Sequence, residues 1–367
     1  MVDSRVLAVN AGSSSIRFAL YGTDRSLVRR GKLERIGERG NAGLELIESL
    51  DRERLLDGVA AVGHRVVHGG LKYSAPSLID AELLAELRRI CPFDPEHLPL
   101  EIALIECFRK RLPQTPQIAC FDTAFHRQMP RVAQLLPLPR RLDEQGIRRF
   151  GFHGLSYAYL MGELERIAGQ DAAQARIVLA HLGNGSSLAA VHQGKSIDTT
   201  MAFTPAAGVP MSTRAGDLDP GLGWYLARTE NMSAEAFNHM VNHESGLLGV
   251  SQTSADLRDL LACEATDARA AEAIALYCYQ IGKSIGALAA ALGGLDTLIF
   301  AGGIGENAAP IRQRICERLG FLGIRLDEGH NAAHRDIISD GTATVTVRVI
   351  ATDEEAMIAR ATRQECP

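Results

Sequence analysis

Three short stretches of this 367-residue chain place glycine beside hydroxyl or amide side chains directly after apolar runs: Asn10–Ser15 (NAGSSS), Gly183–Ser187 (GNGSS) and Gly302–Asn307 (GGIGEN). Glycine lets backbone N–H groups approach an anion with no side chain in the way, and Ser or Asn adds further donors. The same residues also make ordinary tight turns, because Asn-Gly supplies the positive φ angles that short hairpins need. One such loop leaves both readings open; three in one chain favour surfaces that hold phosphate. No GxxxxGK[ST] stretch is present, and no GxGxxG opens a helix in an N-terminal βαβ unit, so the P-loop and dinucleotide folds are disfavoured.

Other residues suit a small anion. In GHRVVHGG (63–70), residues two apart on a strand share a face, so Arg65 and Val67 lie together while His64, Val66 and His68 take the other side. A guanidinium fork beside a branched apolar side chain could grip a carboxylate and shelter its alkyl end. An ordinary ion pair is the plainer alternative for Arg65. The histidines have neither HExxH nor zinc-ribbon spacing and read as core or rim residues. Asp122 ends the apolar run IACFD, where acids of open α/β sheets tend to stand, although a helix cap would look the same. His153 (RRFGFHGLS) and Arg214 (GVPMSTRAGDLDPG) sit in polar, glycine-flanked segments of the kind that host function.

The elements that must position these residues follow a repeated grammar. Val6–Val9 and Ile16–Tyr21 read as strands around the first glycine loop, and VLAHLGNGSSLAAV repeats strand, loop, strand about 170 residues later, which suggests a duplicated unit. Further strands are expected within 59–70, 117–122, 297–301 and 342–350, and helices over 81–91 and 100–111. Ile274, Cys278, Ile281, Ile285 and Leu288 keep helical spacing until Gly293-Gly294 stops them. Pro310 opens a helix with the stripe Ile311, Ile315 and Leu319, and TDEEAMIAR opens the last one. Interleaved strands and helices indicate an α/β protein. The expected domains are residues 1–150 and 151–353, with a last helix over about 354–367 returning to the first.

Composition narrows the function. The chain is 46% apolar with a net charge of −5, and it has neither a basic block for nucleic acid nor a basic amphipathic segment for a membrane surface. Positive charge that holds an anion must therefore be local. The start lacks a signal-peptide pattern, and seven scattered cysteines without a CxxC pair suit reduced thiols, so a cytoplasmic location is expected.

Taken in order, VNAGSSSIRF, GHRVVHGG, FDTAFH, FGFHGLS, HLGNGSS, FTPAAGVPMSTR, SGLLGVS with DLRDL, AGGIGEN and TDEEAMIAR resemble the acetate, propionate and butyrate kinase family from residue 6 to about 360. The resemblance implies two duplicated α/β domains of the sugar kinase, heat-shock protein and actin ATPase (ribonuclease H-like) superfold around a nucleotide cleft. It implies Mg²⁺-dependent (Mn²⁺ being possible), reversible phosphoryl transfer between ATP/ADP and acetate or acetyl phosphate, in a homodimer. A kinase of propionate or another short-chain carboxylate is the alternative. Metal-binding positions fall on Asn10 and Glu354, and catalytic ones on Asp122, His153 and Arg214. The acceptor site falls on Arg65, with Val67, Phe152 and Pro205 as its wall. Nucleotide positions fall on Arg17, His181, Leu182, Gly183, Asn184, Gly185, Asp256, Leu257, Arg258, Gly303, Ile304, Gly305, Glu306 and Asn307.

The chain departs from that pattern at several points. Arg17 replaces a lysine, MSTR replaces MGTR, and TDEE replaces TNEE. FDPEHLPLE replaces a variant of APLHNPPN, which places Glu96 where an apolar wall residue is expected.

Overall fold

The computed structural model describes residues 5–12, 15–34 and 42–366. Ser13 and Ser14 of the first glycine loop lie outside the described residues. The chain forms two compact units, one of Met1–Arg127, Phe152–Tyr159 and Asp353–Pro367, the other of Gln128–Gly151 and Leu160–Thr352. Relative to a single cut near residue 150, residues 128–150 group with the second unit and Phe152–Tyr159 with the first.

The first unit contains β1 (Arg5–Ala11), β2 (Ser15–Tyr21), β3 (Leu27–Glu34), β4 (Val59–Val66), β5 (Ser77–Leu78) and β6 (Gln117–Phe121), in the spatial order β3-β2-β1-β4-β6-β5. The meander β1-β2-β3 is antiparallel, whereas β4 and β6 extend the sheet in parallel with β1. The second unit contains β7 (Ile177–Leu182), β8 (Ser186–His192), β9 (Lys195–Thr199), β10 (Thr297–Ala301) and β11 (Thr346–Val349), in the order β11-β10-β7-β8-β9. There too a three-stranded antiparallel meander is followed by two parallel strands on the far side of its first member. Leaving aside the edge strand β5, both sheets have the same 3-2-1-4-5 order and strand directions. The duplication suggested by two short sequence matches is present in full as topology, and it is that of the ribonuclease H-like fold.

Sequence explains the layers. Thr297–Ala301 is buried throughout, as a parallel strand covered on both faces should be. The long helix Ala268–Leu292 covers this sheet with Ile274, Ile281 and Ile285. Asp267 caps its start by accepting from the Arg269 and Ala270 N–H groups, and Gly293 ends it in the left-handed region at φ 69°. In the first unit the helix Glu354–Glu365 lays Ile358, Ala359 and Ala361 against β1, β4 and β6 residues.

Two expectations change. Of the alternating run 342–350, only Thr346–Val349 pairs as a strand. Thr342 is held in a turn by Asp340, and the Thr344 N–H bonds the Gly323 carbonyl instead of a ladder partner. Gly302–Asn307, read as a loop, is a short helix.

Close packing of the last helix depends on Gly63. A Cβ there would lie 2.0 Å from Thr362 Oγ1 and 2.6 Å from Ile358 Cγ2. We expect Gly63→Ala to cost about 1–3 kcal/mol of stability through overpacking. Urea unfolding checks this as a lower midpoint at unchanged slope, with partial recovery when Thr362→Ala is added.

Candidate active site

In the first unit the ends of three adjacent strands converge on one guanidinium. Arg65 is the penultimate residue of β4, and Asp122 follows the last residue of β6. Arg65 Nε and one terminal nitrogen donate to Asp122 Oδ2 at 3.0 and 2.6 Å, and the other terminal nitrogen donates to the Ala11 carbonyl at the end of β1, at 2.6 Å. Three of the five N–H groups are thus committed to protein, which leaves two in a fixed orientation. Asp122 is fully buried. Burial pushes its carboxyl above the ordinary carboxylate range, against the pull of Arg65. Burial works against the Arg65 charge, but Asp122, Glu354 and Glu101 more than offset it and hold the guanidinium above its usual range.

Two apolar residues expected to flank an acceptor are buried. Val67 and Phe152 are both 1% exposed. The His68 ring meets Phe152 edge-on at 5.7 Å and Phe93 at 5.6 Å. Burial lowers the His68 pKa to about 4, so the ring is neutral at pH 7. Because β4 ends at Val66, strand alternation does not extend to Val67 and His68, and His68 packs on Phe152. His64 lies on the opposite side against Phe108, donating to Gln117. The Phe152 carbonyl accepts from His126 at 3.0 Å, and His153 has a left-handed backbone at φ 57°, unusual for a residue with a side chain. Glycine at 154 is required here, since a Cβ would fall 2.0 Å from the Asp122 carbonyl oxygen. Sequence neighbours of His153 thereby touch the backbone of Asp122.

Asn10 lies opposite Arg17 in the β1–β2 register. Its amide nitrogen donates to Glu354 Oε2 at 2.7 Å and Glu355 Oε1 at 2.8 Å, and both glutamates are buried. Arg17, half exposed, stands 3.8 Å from Glu354 and 3.7 Å from Glu355, beyond good hydrogen-bond distance. This donor set is all oxygen and carries two carboxylates, which fits a hard divalent cation that keeps several waters and takes only one or two protein oxygens. No cluster of three His, Cys, Asp or Glu that could hold a metal unaided exists among the described residues.

In the second unit GNGSS joins β7 to β8 as a hairpin. Ser186 Oγ bonds the Gly183 backbone and the Tyr277 hydroxyl, which ties the bend to the long helix. A cavity of about 600 Å³ opens there. Gly183, Asn184, Asp256, Leu257, Arg258, Gly303, Ile304 and Asn307 line it, together with Ser212 and Pro310. His181, Leu182, Gly185, Gly305 and Glu306 do not. Glu306 has a scaffold role: its Oε1 accepts from the Gly302 and Thr352 N–H groups, joining the ends of β10 and β11. Arg214 donates toward the Pro205 carbonyl at 3.4 Å. Its segment is locked by glycine, because a Cβ at Gly246 would meet the Met211 carbonyl oxygen at 2.2 Å and that of Arg214 at 2.7 Å.

Comparison with known proteins gives the family. The model of the acetokinase family matches residues 37–360. Acetate kinase of Rhodopseudomonas palustris is 44% identical over 97% of this chain and 96% of its own length. Propionate kinase of Citrobacter rodentium is 41% identical over 98% and 96%. The crystal structure of Porphyromonas gingivalis acetate kinase superposes with a TM-score of 0.89 at 36% identity, covering 99% of this chain and 100% of that one. The chain belongs to the acetokinase family. Its members are phosphotransferases whose acceptor is a carboxyl group.

Two features of this acetokinase escaped the sequence reading. Glu101 is a buried acid that accepts from the Val67 N–H, and only an apolar helix pattern surrounds it in sequence. Arg312 is fully buried and donates to four uncharged acceptors: Asn331 Oδ1 and the Gly305, Glu306 and Asn331 carbonyls. Its clasp on Gly305 and Glu306 fixes the helix whose Gly303, Ile304 and Asn307 line the cavity. The only sequence signal was a charged residue beside the buried stripe position Ile311.

Arg312→Met would leave several buried carbonyls unpaired, at about 1–3 kcal/mol each. We expect KM for ATP to rise about tenfold while KM for the carboxylate stays within about twofold, and Arg312→Lys to fall between. Initial-rate kinetics with each substrate varied separately measures both.

Proposed function

We propose that the protein transfers the γ-phosphoryl group of ATP to acetate, giving acetyl phosphate and ADP, and catalyses the reverse reaction. The observation that carries this reading is Arg65, which keeps two N–H groups uncommitted and stands two residues before the buried apolar Val67. A carboxylate on those two donors, with its methyl group against Val67, satisfies both. In this reading Pro205 completes the wall, and the cavity lined by Gly183, Asp256 and Gly303 takes the nucleotide.

The acceptor ionises with a pKa near ~4–5, so at pH 7 it needs no base. Asp122 then serves by holding the Arg65 fork, not by removing a proton. The difficulty is repulsion between an anion and a polyanion, of order ~4 kcal/mol for two unit charges ~4 Å apart at an effective dielectric of ~20. Arg65 offsets it on the acceptor, while Arg214 and His153 donate to the phosphoryl oxygens during direct in-line transfer, a reaction dominated by positioning and charge neutralisation. Asn10 and Glu354 would hold Mg²⁺ or Mn²⁺, which would supply further neutralisation of phosphate charge. Arg17 lies over these two residues and would reach phosphate from there.

Glu96 is exposed, so it forms no part of the acceptor wall. Val67 is the small side chain that limits acceptor size, and propionate is the second reading, favoured by the propionate kinase relative. A homodimer is supported by the helices Gly221–Thr229 and Ala234–His243, which bury no residue and leave Trp224 69% exposed. Seven cysteines with no disulfide support a reducing cytoplasm. Among the described residues no helix is long and apolar enough to cross a membrane.

Trapping acetyl phosphate with hydroxylamine tests the activity directly. Wild-type protein with ATP, Mg²⁺ and acetate should yield hydroxamate, and Arg214→Ala should lower kcat by about 10²–10³. Absence of hydroxamate, or near-wild-type turnover in the variant, would overturn the assignment. Val67→Ala should raise the propionate-to-acetate ratio of kcat/KM by an amount corresponding to ~1–3 kcal/mol. An unchanged ratio would remove Val67 from the wall.

A further inference from the structure

Behind the acceptor wall lies a buried acidic cluster that the reaction itself does not use. Glu101 is on the first turn of the helix Leu98–Arg111 and is 2% exposed. Its Oε2 accepts from the Val67 N–H at 3.0 Å, and its Oε1 has no hydrogen-bond partner. Val67 directly follows β4, two residues after Arg65, so this bond fixes the backbone where the strand gives way to the wall. The charged groups that act on Glu101 are Arg65 from β4, Asp122 after β6, and Asp94 in the turn before its own helix. Asp94 is engaged by His97 at 2.9 Å and acts on the neutral ring of His68.

We propose that Glu101 is a positioning residue for the acceptor site: its carboxyl group holds the Val67 N–H and, while uncharged, leaves the field of Arg65 to the substrate anion. The proposal rests on the assignment of Arg65 and Val67 to the acceptor.

The protonation state follows from the surroundings. Burial pushes the Glu101 carboxyl up from 4.5 to about 8; Arg65 and the Val67 N–H pull it back, while Asp94 and Asp122 add to the rise. Glu101 is therefore the neutral acid at pH 7 and loses its proton as pH rises through about 8. The resulting carboxylate competes with the substrate for Arg65. A glutamine would keep an oxygen for the Val67 N–H and could not ionise.

Steady-state kinetics from pH 7 to 9 tests this, with acetate and ATP varied separately. In the wild type, KM for acetate should rise roughly three- to tenfold over that range, with kcat and KM for ATP changing much less. In Glu101→Gln, KM for acetate should stay flat. In Glu101→Leu, which orphans a buried N–H, KM for acetate should be raised at every pH. Stability supplies a readout independent of turnover. A carboxyl whose folded pKa lies above its unfolded one stabilises at low pH and loses that contribution as pH rises, so the wild type should lose stability relative to Glu101→Gln between about pH 5 and 8. A Glu101→Gln enzyme whose KM for acetate climbs like the wild type's, or a Glu101→Leu enzyme with wild-type KM, overturns the inference and leaves the activity standing. A wild-type protein inactive on both acetate and propionate overturns the activity and this inference with it.

Discussion

A guanidinium recognises a carboxylate only if its fork is already aimed, and in this chain the aiming is done by Asp122. The pair is nearly dry, with Arg65's side chain 11% exposed and Asp122's 0%. Such a pair is weak evidence for stability, since desolvating both charges offsets most of their attraction, but losing one partner strands the other at about 3–5 kcal/mol. The arrangement is therefore better understood as a device for orientation than for stability. It also explains why the strand order matters. β1, β4 and β6 are adjacent and parallel, so the Ala11 carbonyl, Arg65 and Asp122 reach the same end of the sheet, the end at which open α/β sheets place their ligands.

The second sheet repeats this plan with different chemistry. The ends of β7, β10 and β11 lead to Gly183, Gly302 and Thr352, and Glu306 ties the last two together. One copy of the duplicated unit thus offers a side-chain cation at its strand ends, and the other offers backbone and a cavity. Duplication of a sheet supplies two sets of strand ends, and only short segments beyond them need to differ for the two to offer different chemistry.

Much of this was readable in the residues. Apolar runs and glycine bends located the strands, and Asn-Gly marked the β7–β8 hairpin, because these signals depend on local backbone geometry. Arg65 stood out as a cation on the same strand face as Val67, and Asp122 as an acid ending an apolar run. What periodicity could not show was their mutual bond, which depends on β4 and β6 being neighbours in space. Glu101 was hidden for a related reason. It lies on a helix of ordinary pattern, and only the packing of that helix under Val67 turns a charged side chain into a buried acid. The run 342–350 alternates as a strand should, but Asp340 and Gly323 capture the backbone groups of its first part.

Arg65 and Arg312 hold their charges in different ways. A chain of net charge −5 that handles anions must concentrate positive charge where the anions bind. Arg65 does so beside a carboxylate, so its field is largely compensated and acts at short range through directed N–H groups. Arg312 is bound only to uncharged acceptors, and burial brings its guanidinium down to about 10, still well above neutrality. Its charge is therefore present at pH 7 and uncompensated by any of the groups it bonds. In a poorly screened interior, such a charge extends beyond its own hydrogen bonds. Arg312 clasps the carbonyls of Gly305 and Glu306, on the helix whose Gly303, Ile304 and Asn307 line the cavity. Each unit thus holds its own arginine, one paired and aimed by a carboxylate, the other bonded to uncharged groups alone.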